Sequence, residues 1–238
     1  MGPMKNWGIR AKTLIPSLVI MLIVSGGLSV WIQQQQQEQA VEQAKQAARA
    51  IQEQIMADRQ VYTERVILKL RDDAVEYKAT DMKGLSGQKA IPLPASFVHL
   101  TSAVVNQKGI HSADLVALFN INPDKAPRTE FERRALEKLW ENRSEVQFTV
   151  EGTGDTAKLV AISADVASSQ ACVTCHNEHP ASKKKDFRLN DVMGGLVVKI
   201  PLADSFKRAR DTATLLIIVL LGGFAVVLGL IAFIQHRA

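Results

Sequence analysis

Two apolar stretches, Thr13 to Ile32 and Thr214 to Ile234, lie close to the two ends of the chain, and each has the roughly 20 residues that cross a bilayer as a helix. A chain held in this way must fold the intervening segment as a self-contained unit on one side of the membrane. The first stretch is interrupted only by Pro16, serines and glycines; Lys5, Arg10 and Lys12 precede it and a glutamine run follows it. Positive charge on that flank places residues 1–12 in the cytoplasm. No Ala-x-Ala-like cleavage site follows, so the stretch is expected to be an uncleaved anchor. The second stretch returns the chain and leaves residues 235–238 on the cytoplasmic side. Lys207, Arg208 and Arg210 outside oppose Arg237 inside, but the first span usually dominates orientation. Roughly 180 residues lie between the spans, a size that suits one domain.

Within that domain Cys172-Val173-Thr174-Cys175-His176 holds both cysteines of the chain. The spacing is that of c-type haem attachment, in which two thiols form thioethers to the vinyl groups and the adjacent imidazole becomes the proximal iron ligand. Three other readings compete. A dithiol redox pair needs a thioredoxin-like βαβ context, which is not apparent. Zinc held by Cys172, Cys175, His176 and His179 would draw all its ligands from eight residues, whereas zinc sites usually join two separated pairs. Coincidence is the third. Export favours haem, because two cysteines this close could cross-link only each other and would make no disulfide framework. The formal net charge of +5 comes from basic residues mixed with Asp and Glu, so the concentrated basic stripe of a nucleic-acid binder is missing.

Gln33 to Gln37 reads as the polar surface of a continuing helix. Val41, Ala44, Ala48, Ile51, Ile55 and Tyr62 then recur at three- and four-residue steps, predicting a long helix from about Val41 to Leu70 within a helical segment 33–80. Turns are expected around Gly84 and Gly87, and Ile91-Pro92-Leu93-Pro94 ends the helical region, because each proline biases its predecessor toward extended backbone. A domain over 81–211 follows. Ala95 to Val105 reads as a short helix, Ile110 to Phe119 as a strand and Asn122 to Pro127 as a loop. Thr129 and Glu132 have capping-box spacing ahead of a helix that buries Phe131, Ala135, Leu136 and Leu139. Glu145 to Val150 and Lys158 to Val166 form a hairpin about Gly152 to Asp155, and Gly195 to Ile200 is a further strand. The fold class is α+β: a small antiparallel sheet with helices on one side, resembling a PAS-type domain, joined to a long N-terminal helix and two transmembrane helices.

The segment from Cys172 to Pro180, with Asp186-Phe187 and Asp191-Val192-Met193-Gly194-Gly195-Leu196 after it, resembles the periplasmic c-type haem family with a PAS-like fold. Ile91-Pro92-Leu93-Pro94-Ala95, and Asn122-Pro123 with Ala126-Pro127 before Phe131-Glu132, are similar to the same family, so the resemblance spans roughly Ala40 to Leu202. In that family the domain often sits between two membrane helices ahead of chemotaxis receptors, histidine kinases or nucleotide cyclases. The resemblance implies one covalent haem c per chain, a bacterial inner-membrane location with the domain in the periplasm, and sensing of redox state or of a small ligand. The sequence stops four residues after the second span, which departs from that pattern, so signalling is expected to run through a homodimer mate or a partner membrane protein. An electron-transfer subunit of a membrane redox complex is the alternative. No enzyme is expected, since no Ser/His/Asp or paired-carboxylate arrangement is evident near the motif.

The resemblance points to the long helix as the source of a distal iron ligand. Met56 is the candidate there, His99 and His111 are weaker ones, and an open or water-bound site is a further alternative. His179 is read as ordering the attachment loop. Lys183 and Lys184 are candidates for pairing with haem propionates, or for solvated surface, and the Lys183-Lys184-Lys185 rim would steer an acidic partner. Phe187 and Tyr62 are candidates for contact with the macrocycle. Gly222, Ala225, Gly229 and Ala232 leave one narrow face on the second span, fit to seat the first span, a dimer mate or another membrane subunit.

Overall fold

The computed structural model describes residues 9–70, 76–78 and 90–237, so the turns expected around Gly84 and Gly87 lie outside the described residues. Two compact units are present, one made of the chain ends (Met1–Val41 with Asp204–Ala238) and one of Glu42–Ala203.

In the first unit, helix α1 (Ile9–Tyr62) and helix α5 (Ala203–Arg237) supply two segments long and apolar enough to cross a membrane, judged by length and composition. Their large apolar side chains face outward: Ile23 is 69% exposed and Ile218 is 61% exposed. Near one end the helices are tied by the Ser29 hydroxyl, which donates to the Ala213 carbonyl at 3.0 Å, and Ser25, Ala209 and Ala213 are buried. Of the occupants expected for the narrow face of the second span, α1 does not reach Gly222 or Gly229 among the described residues, where a built Cβ meets nothing within 4 Å.

In the second unit, a four-stranded antiparallel sheet has the order β3-β6-β5-β4, with β3 Ser112–Val116, β4 Gln147–Glu151, β5 Lys158–Val166 and β6 Val192–Pro201. Pairing of β4 with β5 puts Phe148 opposite Ala161, and pairing of β5 with β6 puts Ile162 opposite Val197. Helix α3 (Glu130–Glu141) lays Ala135, Leu136 and Leu139 on Val160, Ile162, Val197 and Val116, all from one side of the pleat. Its N-terminus follows the expected cap in part: the Thr129 hydroxyl accepts from the Glu132 N–H at 3.1 Å. The Glu132 carboxylate, however, reaches one residue further back than a capping box does, accepting from the Arg128 N–H at 2.7 Å.

The expected one-sided sheet is corrected here, because the other face is covered by α1. The buried Gln52 amide donates to the carbonyls of Ala161 at 3.2 Å and Leu196 at 3.0 Å, seating the helix on β5 and β6. Ala44 and Ala48 are buried on the same helical stripe, and Lys45 and Arg49 lie over the Phe148 ring. With helices on both faces, β6 is buried almost without alternation from Val192 to Val198, the pattern of a doubly covered strand.

Helix α1 also ends earlier than the expected 33–80 segment. A π-turn over Thr63–Ile67 follows Tyr62, and β1 (Glu76–Lys78) pairs in parallel with β2 (Ala90–Pro92). Pro92 ends that strand, and Pro94 opens helix α2 (Pro94–Asn106) at a position where its missing N–H costs nothing. Between β5 and β6 the Cys-x-x-Cys-His segment is itself helical, α4 (Gln170–Glu178).

Gly195 on β6 lets α3 come this close. A Cβ there would lie 2.8 Å from Leu136 Cδ2 and 2.8 Å from Ile162 Cγ2. Gly195→Ala is therefore expected to destabilise the domain by about 1–3 kcal/mol through overpacking, read as a lower urea midpoint with an unchanged slope.

Candidate functional site

The end of the sheet at which β5 finishes and β6 begins carries the Cys-x-x-Cys-His segment. Ser169 precedes α4, and its hydroxyl lies 3.3 Å from the Cys172 sulfur. Cys172 is half-buried, Cys175 is exposed, and both thiols are free. Four residues separate Cys172 from His176, one turn of α4, and Val173 turns inward onto Ala167, Phe187 and Met193. The His176 ring meets the Phe187 ring edge-on, with centroids 6.0 Å apart. Burial holds the His176 imidazole below its usual pKa, which favours the neutral, metal-ligating form.

The return loop is fastened to α4 by a reciprocal pair. The Asn177 amide donates to the Phe187 carbonyl at 2.9 Å, and its oxygen accepts from the Phe187 N–H at 3.0 Å. His179 orders the same loop: its Nδ1 accepts from the Ala181 N–H at 3.1 Å, and its carbonyl accepts from the Ser182 N–H at 3.0 Å. Lys184 lies 5.2 Å from the Phe187 ring centroid and 5.7 Å from that of Trp140 on α3, and it pairs with Asp186 at 2.5 Å. Lys183 is exposed and reaches the Asn120 side-chain oxygen at 3.4 Å.

From the opposite face α1 contributes Arg59, which forms a largely buried ion pair with Asp165 near the end of β5. Burial alone would lower the Arg59 pKa, but Asp165 outweighs it and Cys172 adds to the effect. His176 in turn feels both charges of the pair. Arg59 and Asp165 are the site residues that sequence reasoning missed. Their signal was a polar interruption of the apolar stripe, since Gln52 and Arg59 stand seven residues apart, two turns along one helical face. Met56 lies between them on that face and is half-buried.

The remaining candidates lie elsewhere. Tyr62 stacks on Phe97 of α2, with centroids 4.4 Å apart, and donates to the Pro92 carbonyl at 2.7 Å. His99, also on α2, is held by Asp114 of β3 at 3.1 Å. His111 directly precedes Ser112, which pairs with Lys199, whereas the attachment segment ends at Val192; seven residues of β6 separate the two, roughly 23 Å. The structure does not bring His99 or His111 to the motif.

The donor set suits a haem: two free thiols one turn apart on an exposed helix, a neutral imidazole with no hydrogen bond to a described residue, and an apolar floor of Val173, Phe187 and Met193. Beyond the motif, a family model for the Tll0287-like proteins matches residues 35–201. The chain belongs to the Tll0287-like family. Among solved structures, that of the cyanobacterial haem protein Tll0287 is similar, at 19% identity and a TM-score of 0.45, covering 67% of this chain and 95% of that one. No curated protein matches. The matched span of this Tll0287-like chain runs from the glutamine-rich part of α1 through β6, and so takes in Met56, Arg59, Asp165 and the whole attachment segment.

Two outcomes are expected. Asn177→Ala should cost about 1–3 kcal/mol, because it leaves a backbone donor and acceptor of Phe187 without partners, and it should raise hydrogen exchange over residues 179–188 ahead of the sheet. Asp114 is held well below the usual carboxylate range: burial would raise its pKa, but hydrogen bonds from His99 and Lys125 outweigh that. Its contribution is therefore fully present above about pH 4 and is lost as the pH falls through the lower folded-state value. Asp114→Asn should lower stability at pH 7 and flatten the acid limb of a stability–pH curve measured by urea unfolding.

Proposed function

We propose that this chain is a membrane-anchored haem c module, carrying one haem joined to Cys172 and Cys175 with His176 on the iron, that senses redox state or a small ligand and signals through a second copy or a separate membrane protein. The observation that carries the reading is the construction of α1. One helix bears both the apolar segment and the Gln52, Met56 and Arg59 stripe that meets the attachment end of the sheet. A change felt by Met56 or Arg59 therefore acts on the element that continues into the apolar segment.

Held by Cys172, Cys175 and His176, a haem would supply a one-electron couple and an iron able to bind a small ligand. The chain's own residues set the conditions around it. His176 presents a neutral nitrogen, Val173, Phe187 and Met193 exclude water on one side, and the Arg59–Asp165 pair places balanced charge beside the motif. Met56 is proposed as the distal ligand because it shares the Gln52–Arg59 face. The outward apolar surface of α1 and α5, with Lys5, Arg10 and Lys12 before the first span, supports a bacterial inner-membrane anchor, a periplasmic domain and cytoplasmic termini. We assign the module no catalytic role.

A second reading, electron transfer within a membrane redox complex, is favoured by the exposed lysines Lys183 and Lys185 on the loop that follows α4 and by the exposure of Cys175, since such lysines would steer an acidic partner. Carbon monoxide tests the ligand-sensing form of the first. Under small-ligand sensing, the reduced protein binds it with a shift in the absorption bands, whereas six-coordinate iron that ignores it sinks small-ligand sensing and leaves redox sensing or electron transfer. Cys175→Ala should abolish full covalent haem staining on a denaturing gel; complete retention would refute attachment. Arg59→Gln should lower the midpoint potential by removing a nearby cation, and Asp165→Asn should raise it. A Met56→Ala protein with an unchanged spectrum and potential would remove Met56 as the ligand.

A further inference from the structure

On the α3 face of the sheet, between α2, β3, β6 and the start of α3, lies a cavity of about 370 Å³ that no part of the haem reading uses. Its wall carries three cations, Lys125, Arg128 and Lys199, and the His99 imidazole 3.1 Å from Asp114, against two carboxylates, Asp114 and Glu132. Lys125 is paired with Asp114 at 2.7 Å and Lys199 with Glu132 at 3.2 Å. Arg128 is the loosest of the three: its side chain is 57% exposed, and its guanidinium reaches Asp114 only at 3.3 Å and the Asp124 carbonyl at 3.2 Å. One positive charge is thus in excess, on the side chain freest to turn. Ser102 of α2 also lines the cavity; it is 6% exposed, and its hydroxyl has no hydrogen-bond partner among the described residues. A buried hydroxyl without a partner is costly, and a cavity that holds one is incomplete without an acceptor.

We propose that this cavity is a binding site for a small carboxylate anion, with Arg128 pairing its charge and the Ser102 hydroxyl donating to one of its oxygens. The chemistry selects the class. A metal cation faces three cations of its own sign, and a neutral molecule leaves the excess charge unused. A dianion overshoots that excess. The volume lies at the low end of small-molecule sites and admits a ligand of a few carbon atoms. The site stands independently of haem attachment, since none of its lining residues belongs to the apolar cluster under the motif.

The test uses the full chain in detergent micelles, with propionate and its uncharged isostere propionamide as probes, read by thermal shift and calorimetry. Propionate is expected to raise the melting temperature at millimolar concentration, and propionamide to leave it in place. Ser102→Ala should leave the free protein at least as stable, because it deletes an unsatisfied group, and yet weaken propionate binding about tenfold. Arg128→Gln should weaken binding at least as much, with the haem absorption unchanged. Propionamide binding as well as propionate, both variants binding as tightly as the unmodified chain, or inorganic phosphate binding where propionate does not, would each overturn the proposal.

Discussion

The second unit is organised by the double coverage of β5 and β6. Each strand is central in the sheet, and each is buried on both faces: Val160, Ile162 and Val197 under α3, and Leu159, Ala161, Leu196 and Val198 on the side that α1 takes. Apolar burial of this kind is non-directional and would tolerate several placements of a long helix. Gln52 removes that freedom. Its amide satisfies two strand carbonyls at once, so the axial position and rotation of α1 on the sheet are set by hydrogen bonds rather than by greasy contact alone. Everything C-terminal to Gln52 on that helix follows from this, including the delivery of Arg59 to Asp165 near the end of β5.

Local signals in the sequence carried much of this architecture. Lys158 to Val166 has strand composition and turn-forming glycines ahead of it, and it is a strand over that whole range. The Thr129 cap and the Phe131, Ala135, Leu136, Leu139 spacing located α3, and the cysteine pair with its histidine marked α4 as the candidate site. What was not legible depended on pairs distant in the chain. A helix that covers the second face of a sheet leaves no local mark beyond an apolar stripe, which serves equally well for a dimer seam or for plain packing. The run from Val192 to Val198 was in retrospect the sign, since a strand with one wet face would have alternated.

The same distinction explains the site. His176 and the two thiols are readable because their relationship is written within five residues. Arg59 and Asp165 are separated by 106 positions, Lys199 and Glu132 by 67. Each pair, read singly, is ordinary surface charge. Only the register of β6 against β3 and β5 shows that Lys199 stands over α3 on one face while the motif caps the end of the sheet. The two weaker distal candidates are placed by the same register, His99 against Asp114 and His111 at the far end of β3, while His179 orders its own loop as its position implied.

The close approach of α3 at Gly195 has an evolutionary side. With Leu136 and Ile162 both 2.8 Å from where a Cβ would stand, the three positions share one small volume, and no one of them can enlarge unless another first shrinks. A side chain at 195 becomes acceptable only in a background already shortened at 136 or 162. Such positions drift together or not at all, so the contact is a source of epistasis that would show as covariation among relatives rather than as simple invariance of the glycine.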